Sequence, residues 1–314
     1  MPDQVPLHAE VHAWAKINLD LRILARENTG YHQLETIFQR IALADLVDVR
    51  ITQGHGITVE CTPPIGIPAE SNLAWRAASI YRHAAGWPAP DCAIRIAVQK
   101  VIPTGGGLGG GSADAGAVLR ALNALNPDPL PSAQLLSLAA TLGADVPFLT
   151  TECARVIAWG RGERMLALDA LPVRTVHCAT FPLGVNTAMA YQALARARAD
   201  GRLSASGSVL LHLSELDDWS GIAHRSANDF EPVVFALRDD IAAVHRAWLE
   251  HRPGALVRMS GSGATVIAVV DTPIQHLPAI TPGVGATDGV TLVQTATLGH
   301  VPPVRRLSPP IGSR

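Results

Sequence analysis

The segment that most restricts the fold of this chain is a glycine-rich loop over residues 103–113, Pro-Thr-Gly-Gly-Gly-Leu-Gly-Gly-Gly-Ser-Ala. A strand-like run over residues 94–102 precedes the loop, and apolar residues at helical spacing follow it from Ala115 to Leu125. Between a strand and a helix, adjacent glycines let backbone N–H groups close around phosphate at the positive end of the helix. The loop therefore predicts a phosphate site, and its entropic cost argues against a turn without a ligand.

Two other glycine motifs fit this loop less well. Residues 105–110 satisfy G-x-G-x-x-G, but the match lies behind a proline, far from the N-terminus, without a clear ribose-binding acid at the right distance. A nicotinamide-dependent oxidoreductase is therefore only an alternative interpretation. The Walker pattern fails because no lysine follows the last glycine, Gly111.

The length and net charge of the chain favour two domains and exclude some classes of binding protein. The 314 residues are 48% hydrophobic, which is enough for two domains, and the net charge of -2 excludes a broad cationic surface for nucleic acid or membrane. Strand and helix patterns mix without a regular alternation, so we expect an α+β fold. Weak periodicity around residues 160–172 predicts an N-terminal domain over residues 1–165 and a C-terminal α+β domain over 166–299. Residues 300–314 are expected to form a loosely ordered tail.

The sequence also favours a cytoplasmic protein. The first residues lack the basic and apolar stretches of a secretory signal, and no apolar run is long enough for a membrane helix. The four cysteines are widely spaced, which predicts free thiols in a reducing compartment rather than disulfides or a metal site.

Without a Walker lysine, phosphoryl transfer requires another cation, together with Mg²⁺, to offset the charge on the transferring group. It also requires a carboxylate to orient or deprotonate the acceptor hydroxyl. Lys16 is a candidate because the first strand, residues 11–24, alternates and places Lys16, Asn18, Asp20 and Arg22 on its polar face. Asp145 is the other candidate, since it follows a helix that ends at Gly143. Taken singly, each of the two could also be a surface charge or a helix cap.

Five segments in order resemble the motifs of the GHMP small-molecule kinases. The resemblance covers about residues 10–270, and it is densest in the first 150. Within the superfamily, Gly-Tyr-His-x-Leu-x-Thr and Gly-Gly-Gly-Leu-Gly-Gly-Gly-Ser are most similar to the branch whose acceptor is 4-diphosphocytidyl-2-C-methyl-D-erythritol. The segments are Ala-Lys-Ile-Asn-Leu at 15–19, Gly-Tyr-His-Gln-Leu-Glu-Thr at 30–36, residues 102–114, Leu-Gly-Ala-Asp-Val-Pro-Phe at 142–148 and Ser-Gly-Ser-Gly-Ala at 260–264.

The resemblance implies a two-domain fold with an interdomain active site that moves the γ-phosphate of ATP, with Mg²⁺, onto the 2-hydroxyl of that acceptor in non-mevalonate isoprenoid precursor synthesis. It implies that Asp145 is the base and that Lys16 stabilises charge beside it. It suggests no protein ligand for Mg²⁺. The implied ATP-binding residues are Pro103, Thr104, Gly105, Gly106, Gly107, Leu108, Gly109, Gly110, Gly111, Ser112 and Ala113.

The resemblance also implies a cytidine end of the site, where two aromatic rings sandwich the base and a histidine reads its edge. The implied acceptor-binding residues are Asn18, Tyr31, His32, Lys100, Thr187, Tyr191, Gly261, Ser262 and Gly263. Three alternatives remain open: a kinase of the same superfamily acting on homoserine or a mevalonate-type acceptor, the nicotinamide-dependent oxidoreductase, and a non-catalytic ATP-binding regulator.

Overall fold

A computed structural model describes residues 7–28, 32–204, 212–271 and 289–307. Helices and strands are mixed along the chain, which confirms the predicted α+β class. The strands are β1 Leu7–Arg26, β2 His32–Gln53, β3 Ile57–Thr62, β4 Cys92–Gln99, β5 Arg155–Gly160, β6 Arg164–Ala167, β7 Thr175–Thr180, β8 Leu256–Met259, β9 Val266–Val270, β10 Thr291–Ala296 and β11 Arg305–Arg306. The α-helices are α1 Leu73–Ala85, α2 Gly110–Leu125, α3 Ser132–Leu142, α4 Val146–Thr150, α5 Thr187–Ala199, α6 Trp219–Arg225, α7 Glu231–Leu237 and α8 Asp239–His251.

The first sheet is built on the long antiparallel pair of β1 and β2. Its strand order is β11-β1-β2-β4-β3, and β5 and β6 extend from β2. Helix α2 packs against β1 and is buried almost all round, as its continuous apolar and small residues require. The glycine-rich loop of residues 103–113, which we call the phosphate loop after its predicted ligand, is thereby fixed between β4 and a central helix.

Three register irregularities divide β1 into sections, the last of them between Ile23 and Arg26. The register against β2 shifts between Trp14 and Lys16 and again between Asn18 and Asp20. Because a shift of one residue sends side chains to the other face, the prediction that Lys16, Asn18, Asp20 and Arg22 share one face is wrong. Asp20 is buried elsewhere, and its Oδ1 accepts a hydrogen bond of 2.8 Å from the Ala227 backbone N–H.

The second sheet is antiparallel, in the order β10-β7-β9-β8. The chain passes from the first sheet to the second between β6 and β7, near the predicted domain boundary at residues 165 and 166, which stays a prediction. Side chains of β7 alternate between two hydrophobic clusters: Val176 and Cys178 pack with the first sheet, and Ala179 packs with helices of the C-terminal half. The two halves therefore share a continuous apolar contact.

Part of the C-terminal segment differs from the loosely ordered tail that we expected. Arg305 and Arg306 form β11, which pairs with Ala9 and Glu10 of β1, and Leu307 N–H donates to the His8 carbonyl at 2.8 Å. Val301 is also buried. The segment pairs with backbone groups at the edge of β1 that would otherwise be unpaired. Its Pro- and Arg-rich composition does not indicate this pairing. Residues 308–314 lie outside the described residues.

The described helices include none with the length and apolarity needed to cross a membrane. The four cysteines, Cys61, Cys92, Cys153 and Cys178, are free thiols as predicted.

His177 in β7 gives a prediction about acid stability. The side chain is 1% exposed, and neither ring nitrogen has a hydrogen-bond partner within the described chain. Burial, with a smaller contribution from Arg252, lowers the pKa of His177 from 6.5 to about 4. Between these values the unfolded chain binds a proton that the folded chain does not, so this residue lowers the free energy of unfolding as the pH falls from 6.5.

We therefore expect His177→Leu to be neutral or stabilising at pH 7, because it removes an unpartnered polar group. Its advantage should grow on acidification by up to about 1.4 kcal/mol for each pH unit within that window. Urea unfolding of both proteins at several pH values measures this difference, in which the other titrating groups cancel. A difference that stays constant from pH 7 to about 4.5 contradicts the prediction.

Candidate active site

One cavity of about 1010 Å³ opens where the phosphate loop, the middle of β1 and the start of α5 meet. It brings together most of the residues predicted from the sequence. Its wall includes Lys16, Asn18, Lys100, Pro103, Thr104, Gly105, Gly106, Gly107, Gly109, Gly110, Gly111, Ser112, Asp145, Thr187, Tyr191, Gly261, Ser262 and Gly263. Leu108 and Ala113 are instead buried behind the loop, and Tyr31 lies outside the described residues.

The phosphate loop is shaped by three glycines in the left-handed region. Gly105, Gly107 and Gly109 have φ of 72°, 78° and 74°, and Gly109 occupies the N-cap position of α2. The buried Leu108 anchors the loop, since its carbonyl accepts a 3.0 Å hydrogen bond from the Lys16 backbone N–H. Backbone N–H groups at the positive end of a long helix thus border the cavity.

The loop is packed against a second glycine turn, residues 260–263. A Cβ atom on Gly107 would overlap the carbonyl oxygen of Ser260. The Ser260 hydroxyl donates to the Gly107 carbonyl at 2.9 Å, and the Thr265 N–H donates to the Gly106 carbonyl at 3.1 Å. The two turns therefore form one unit, although about 150 residues separate them.

Lys16 and Asp145 face each other in the cavity. Lys16 is 3% exposed, and its Nζ lies 2.7 Å from Asn18 Oδ1 and 3.3 Å from Asp145 Oδ2. Asp145 occupies the N-cap position of α4, yet its side chain makes no capping hydrogen bond in the described chain. The carboxylate is 30% exposed and turned toward the ammonium group, so the helix-cap alternative does not explain this residue.

The side chain of Asn18 forms hydrogen bonds to Lys16 and to Thr36. Its Oδ1 accepts from Lys16, its Nδ2 donates to Thr36 Oγ1 at 2.8 Å, and its backbone N–H donates to Ser260 Oγ at 3.3 Å. Both ends of the buried amide are therefore engaged within the protein. Its predicted contact with the acceptor stays a prediction.

Arg40 is a buried support of the site that sequence reasoning missed. It lies opposite Lys16 on β2, and its Nη2 donates at 2.8 Å to the carbonyls of Phe148 and Thr151 at the C-terminal end of α4. Burial lowers the pKa of Arg40 to about 9, so the guanidinium stays charged at neutral pH. A cation at the C-terminal end of the helix that begins beside Asp145 favours the helix dipole. Its only sequence signal is an arginine in an apolar strand.

Lys100 is held between two carboxylates that were also missed. Its Nζ donates to Asp45 and, at 2.6 Å, to Asp114 of α2. Asp45 also accepts from the Val101 and Ile102 N–H groups at 2.5 and 2.8 Å, which fixes the start of the phosphate loop. Burial raises the pKa of Asp114 to about 7 although Lys100 opposes the shift. The predicted contact of Lys100 with the acceptor is untested.

The far end of the cavity is aromatic. Tyr191 stacks on His32 with ring centroids 4.4 Å apart, and it meets Phe230 edge-on at 4.9 Å. Burial, with a contribution from Asp145, raises the pKa of Tyr191 to about 12, so the phenol stays protonated. The His32 ring is nearly parallel to the Tyr191 ring, at an interplanar angle of 19°, and His32 is not among the described residues that line the cavity. The Thr187 hydroxyl and the Ser262 hydroxyl are 2.9 Å apart, which ties α5 to the second glycine turn.

Comparisons with known proteins agree with this geometry. The GHMP kinases N terminal domain model matches residues 72–152. A 4-diphosphocytidyl-2-C-methyl-D-erythritol kinase from Solibacter usitatus is 37% identical over 265 residues, or 82% of this chain and 80% of the relative. The crystal structure of a 4-(cytidine 5'-diphospho)-2C-methyl-D-erythritol kinase is 35% identical, with a TM-score of 0.67 over 84% of this chain and 91% of the other.

A homoserine kinase from Cytophaga hutchinsonii is similar in structure, with a TM-score of 0.62 over 98% of this chain and 99% of the other. At 16% identity that similarity shows the fold alone. The 37% identity to the Solibacter usitatus protein, by contrast, extends over most of both chains. The chain therefore belongs to the 4-diphosphocytidyl-2-C-methyl-D-erythritol kinase family of the GHMP kinases.

Proposed function

We propose that this protein transfers the γ-phosphate of ATP to the 2-hydroxyl of 4-diphosphocytidyl-2-C-methyl-D-erythritol, a step of non-mevalonate isoprenoid precursor synthesis. The observation that carries the proposal is the placement of the Lys16 and Asp145 pair in the same cavity as the phosphate loop and the Tyr191 ring. A phosphate site, a paired carboxylate and an aromatic surface are the parts that transfer from ATP to a nucleotide-linked alcohol requires.

Asp145 is the group that receives the acceptor's hydroxyl proton. Its partial exposure lets a hydroxyl reach the carboxylate, while Lys16, held by Asn18, keeps a positive charge 3.3 Å away. Phosphoryl transfer depends mainly on alignment and on stabilisation of charge, so we expect Asp145 to orient the hydroxyl as well as to accept its proton. Lys16 stabilises the negative charge that develops on the transferring group.

The ATP phosphates are bound by the backbone of residues 103–113 and by the N-terminal end of α2. Mg²⁺ would offset the charge of those phosphates. Among the described residues, no three acidic, histidine or cysteine side chains converge to hold a metal by themselves. That fits Mg²⁺, which commonly keeps several waters and is held through substrate phosphates and one or two carboxylates.

The cytidine end is proposed at Tyr191, with Tyr31 as the second ring and His32 reading the edge of the base. For a base to stack on the face of Tyr191 that His32 covers, the His32 ring has to move aside. Acceptors without a base, such as homoserine or mevalonate, would leave this aromatic end without a partner. That argument favours the cytidine substrate over those of other GHMP kinases.

ADP release by the purified protein with ATP and Mg²⁺ tests the proposal. The acceptors to compare are 4-diphosphocytidyl-2-C-methyl-D-erythritol, homoserine and mevalonate, and NAD binding is measured in parallel. We expect turnover with the cytidine compound alone. Turnover with homoserine or mevalonate contradicts the acceptor, NAD binding without ADP release indicates an oxidoreductase, and ATP binding without turnover indicates a regulator.

A further inference from the structure

The segment just before α7, residues 227–230, lies against β1. The Leu21 N–H donates to the Ala227 carbonyl at 2.8 Å, and the Asp229 N–H donates to the Leu21 carbonyl at 3.0 Å. Asp229 Oδ2 also accepts from the Ile23 N–H at 2.8 Å. The segment is therefore fixed to the strand that carries Lys16 and Asn18.

Asn228, at the centre of this segment, bonds to the second glycine turn. It is 4% exposed, and its Nδ2 donates to the Met259 carbonyl at 2.6 Å and to the Gly261 carbonyl at 2.8 Å. Its Oδ1 accepts from the Phe230 N–H at 2.9 Å, which orients the amide. The Asn228 amide thus donates both of its N–H groups, one to the carbonyl on each side of Ser260.

Ser260 passes this constraint on to the phosphate loop. It is 0% exposed, its hydroxyl donates to the Gly107 carbonyl, and it accepts from the Asn18 N–H. Because the Ser260 carbonyl is packed directly against Gly107, a shift of the turn has to move the loop as well. Glu231 adds a separate hold on the turn, since its Oε1 accepts from the Met259 N–H at 2.8 Å.

We propose that Asn228 is a positioning residue for ATP, which acts through Met259 and Gly261 on the Ser260 turn and, through Ser260, on the phosphate loop. The inference rests on the proposed function in one respect, namely that this loop holds the ATP phosphates. It predicts a specific chemical requirement: the residue at 228 must donate two hydrogen bonds to two buried carbonyls. An aspartate would instead direct an acceptor oxygen at both of them.

The test compares Asn228→Asp, Asn228→Ala and Asn228→Ser. The matched control is Asn126→Asp, which removes a buried amide donor to the Tyr81 hydroxyl in another part of the fold. For each protein, calorimetry gives the dissociation constant of a non-hydrolysable ATP analogue, initial rates give KM for ATP and for the cytidine substrate, and thermal unfolding gives stability.

We expect Asn228→Asp and Asn228→Ala to raise the dissociation constant of the ATP analogue and KM for ATP by about tenfold or more. The reason is the loss of two hydrogen bonds between neutral groups that hold the turn. KM for the cytidine substrate should change less, and Asn228→Ser, which keeps one donor, should lie between the wild type and Asn228→Ala. The control should lose stability without a change in ATP affinity. A purely structural role would lower the folded fraction at constant KM.

ATP affinity within about twofold of the wild type in the folded Asn228 variants overturns the inference, since a twofold change is under half a kcal/mol. If Asn228→Asp does not fold, the comparison of Asn228→Ser with the wild type decides the question in the same way. A wild-type protein that binds the analogue but does not phosphorylate the cytidine substrate contradicts the proposed function instead. The calorimetric comparison is independent of that result.

Discussion

Asp145→Asn is expected to lower kcat by roughly 10²- to 10⁴-fold, the range over which a positioned acid or base contributes to catalysis. The amide keeps the size of the side chain but cannot accept the hydroxyl proton, and it loses the ion pair with Lys16 at 3.3 Å. ATP affinity should stay near normal, because in the proposed function the backbone of the loop, and not this side chain, binds the phosphates. Stability should change little, since Asp145 makes no capping hydrogen bond in the described chain.

Lys16→Met tests the other half of the pair, with an expected loss in kcat of about 10²- to 10³-fold, as for removal of one electrostatic contact to the transition state. Initial rates at saturating ATP and acceptor give kcat, and calorimetry gives ATP affinity. Asp218→Asn is the matched control: Asp218 caps α6 by accepting from the Gly221 N–H at 2.7 Å, and asparagine can cap equally well. Wild-type kcat in both Asp145→Asn and Lys16→Met would disprove the proposed roles.

Gly107→Val is expected to weaken ATP binding by at least about a hundredfold, equivalent to roughly 3 kcal/mol. Two independent effects combine. A φ of 78° is strained for a β-branched residue, and a Cβ atom at this position would overlap the Ser260 carbonyl. The loop and the second turn must then separate, which breaks the Ser260 to Gly107 hydrogen bond and moves the N–H groups that would face the phosphates.

Gly201→Val is the matched control, because it introduces similar backbone strain without the steric overlap. Gly201 has a similar φ of 69°, but no described atom lies within 4 Å of a Cβ built there. Its backbone strain should lower the thermal midpoint without changing ATP affinity. Calorimetric titration with the non-hydrolysable analogue measures both variants, and ordinary affinity in Gly107→Val would refute the assignment of the loop to phosphate.

The sequence by itself determined the position of the glycine-rich loop between a strand and a helix, and it predicted phosphate as the ligand of that loop. Adjacent glycines between a strand and a helix are a local pattern, and local backbone geometry follows directly from residue type. The order of five short motifs then indicated the superfamily, which the comparisons confirm. Phosphate chemistry made Lys16 and Asp145 separate candidates, and only the resemblance related them as a catalytic pair, because nothing local relates residues so far apart.

The tertiary structure alone decided what supports these groups. The register shift after Asn18 separates Asp20 from the cavity. The alternation of residue types in the sequence does not indicate where such a β-bulge occurs. Arg40 and Asn228 are unremarkable in the sequence, since each acts by bonding to backbone carbonyls of a distant segment. Any residue has such carbonyls, so the sequence carries no signal of which ones a buried side chain will reach. Only the packing of two sheets brings residue 18 within 3.3 Å of residue 260.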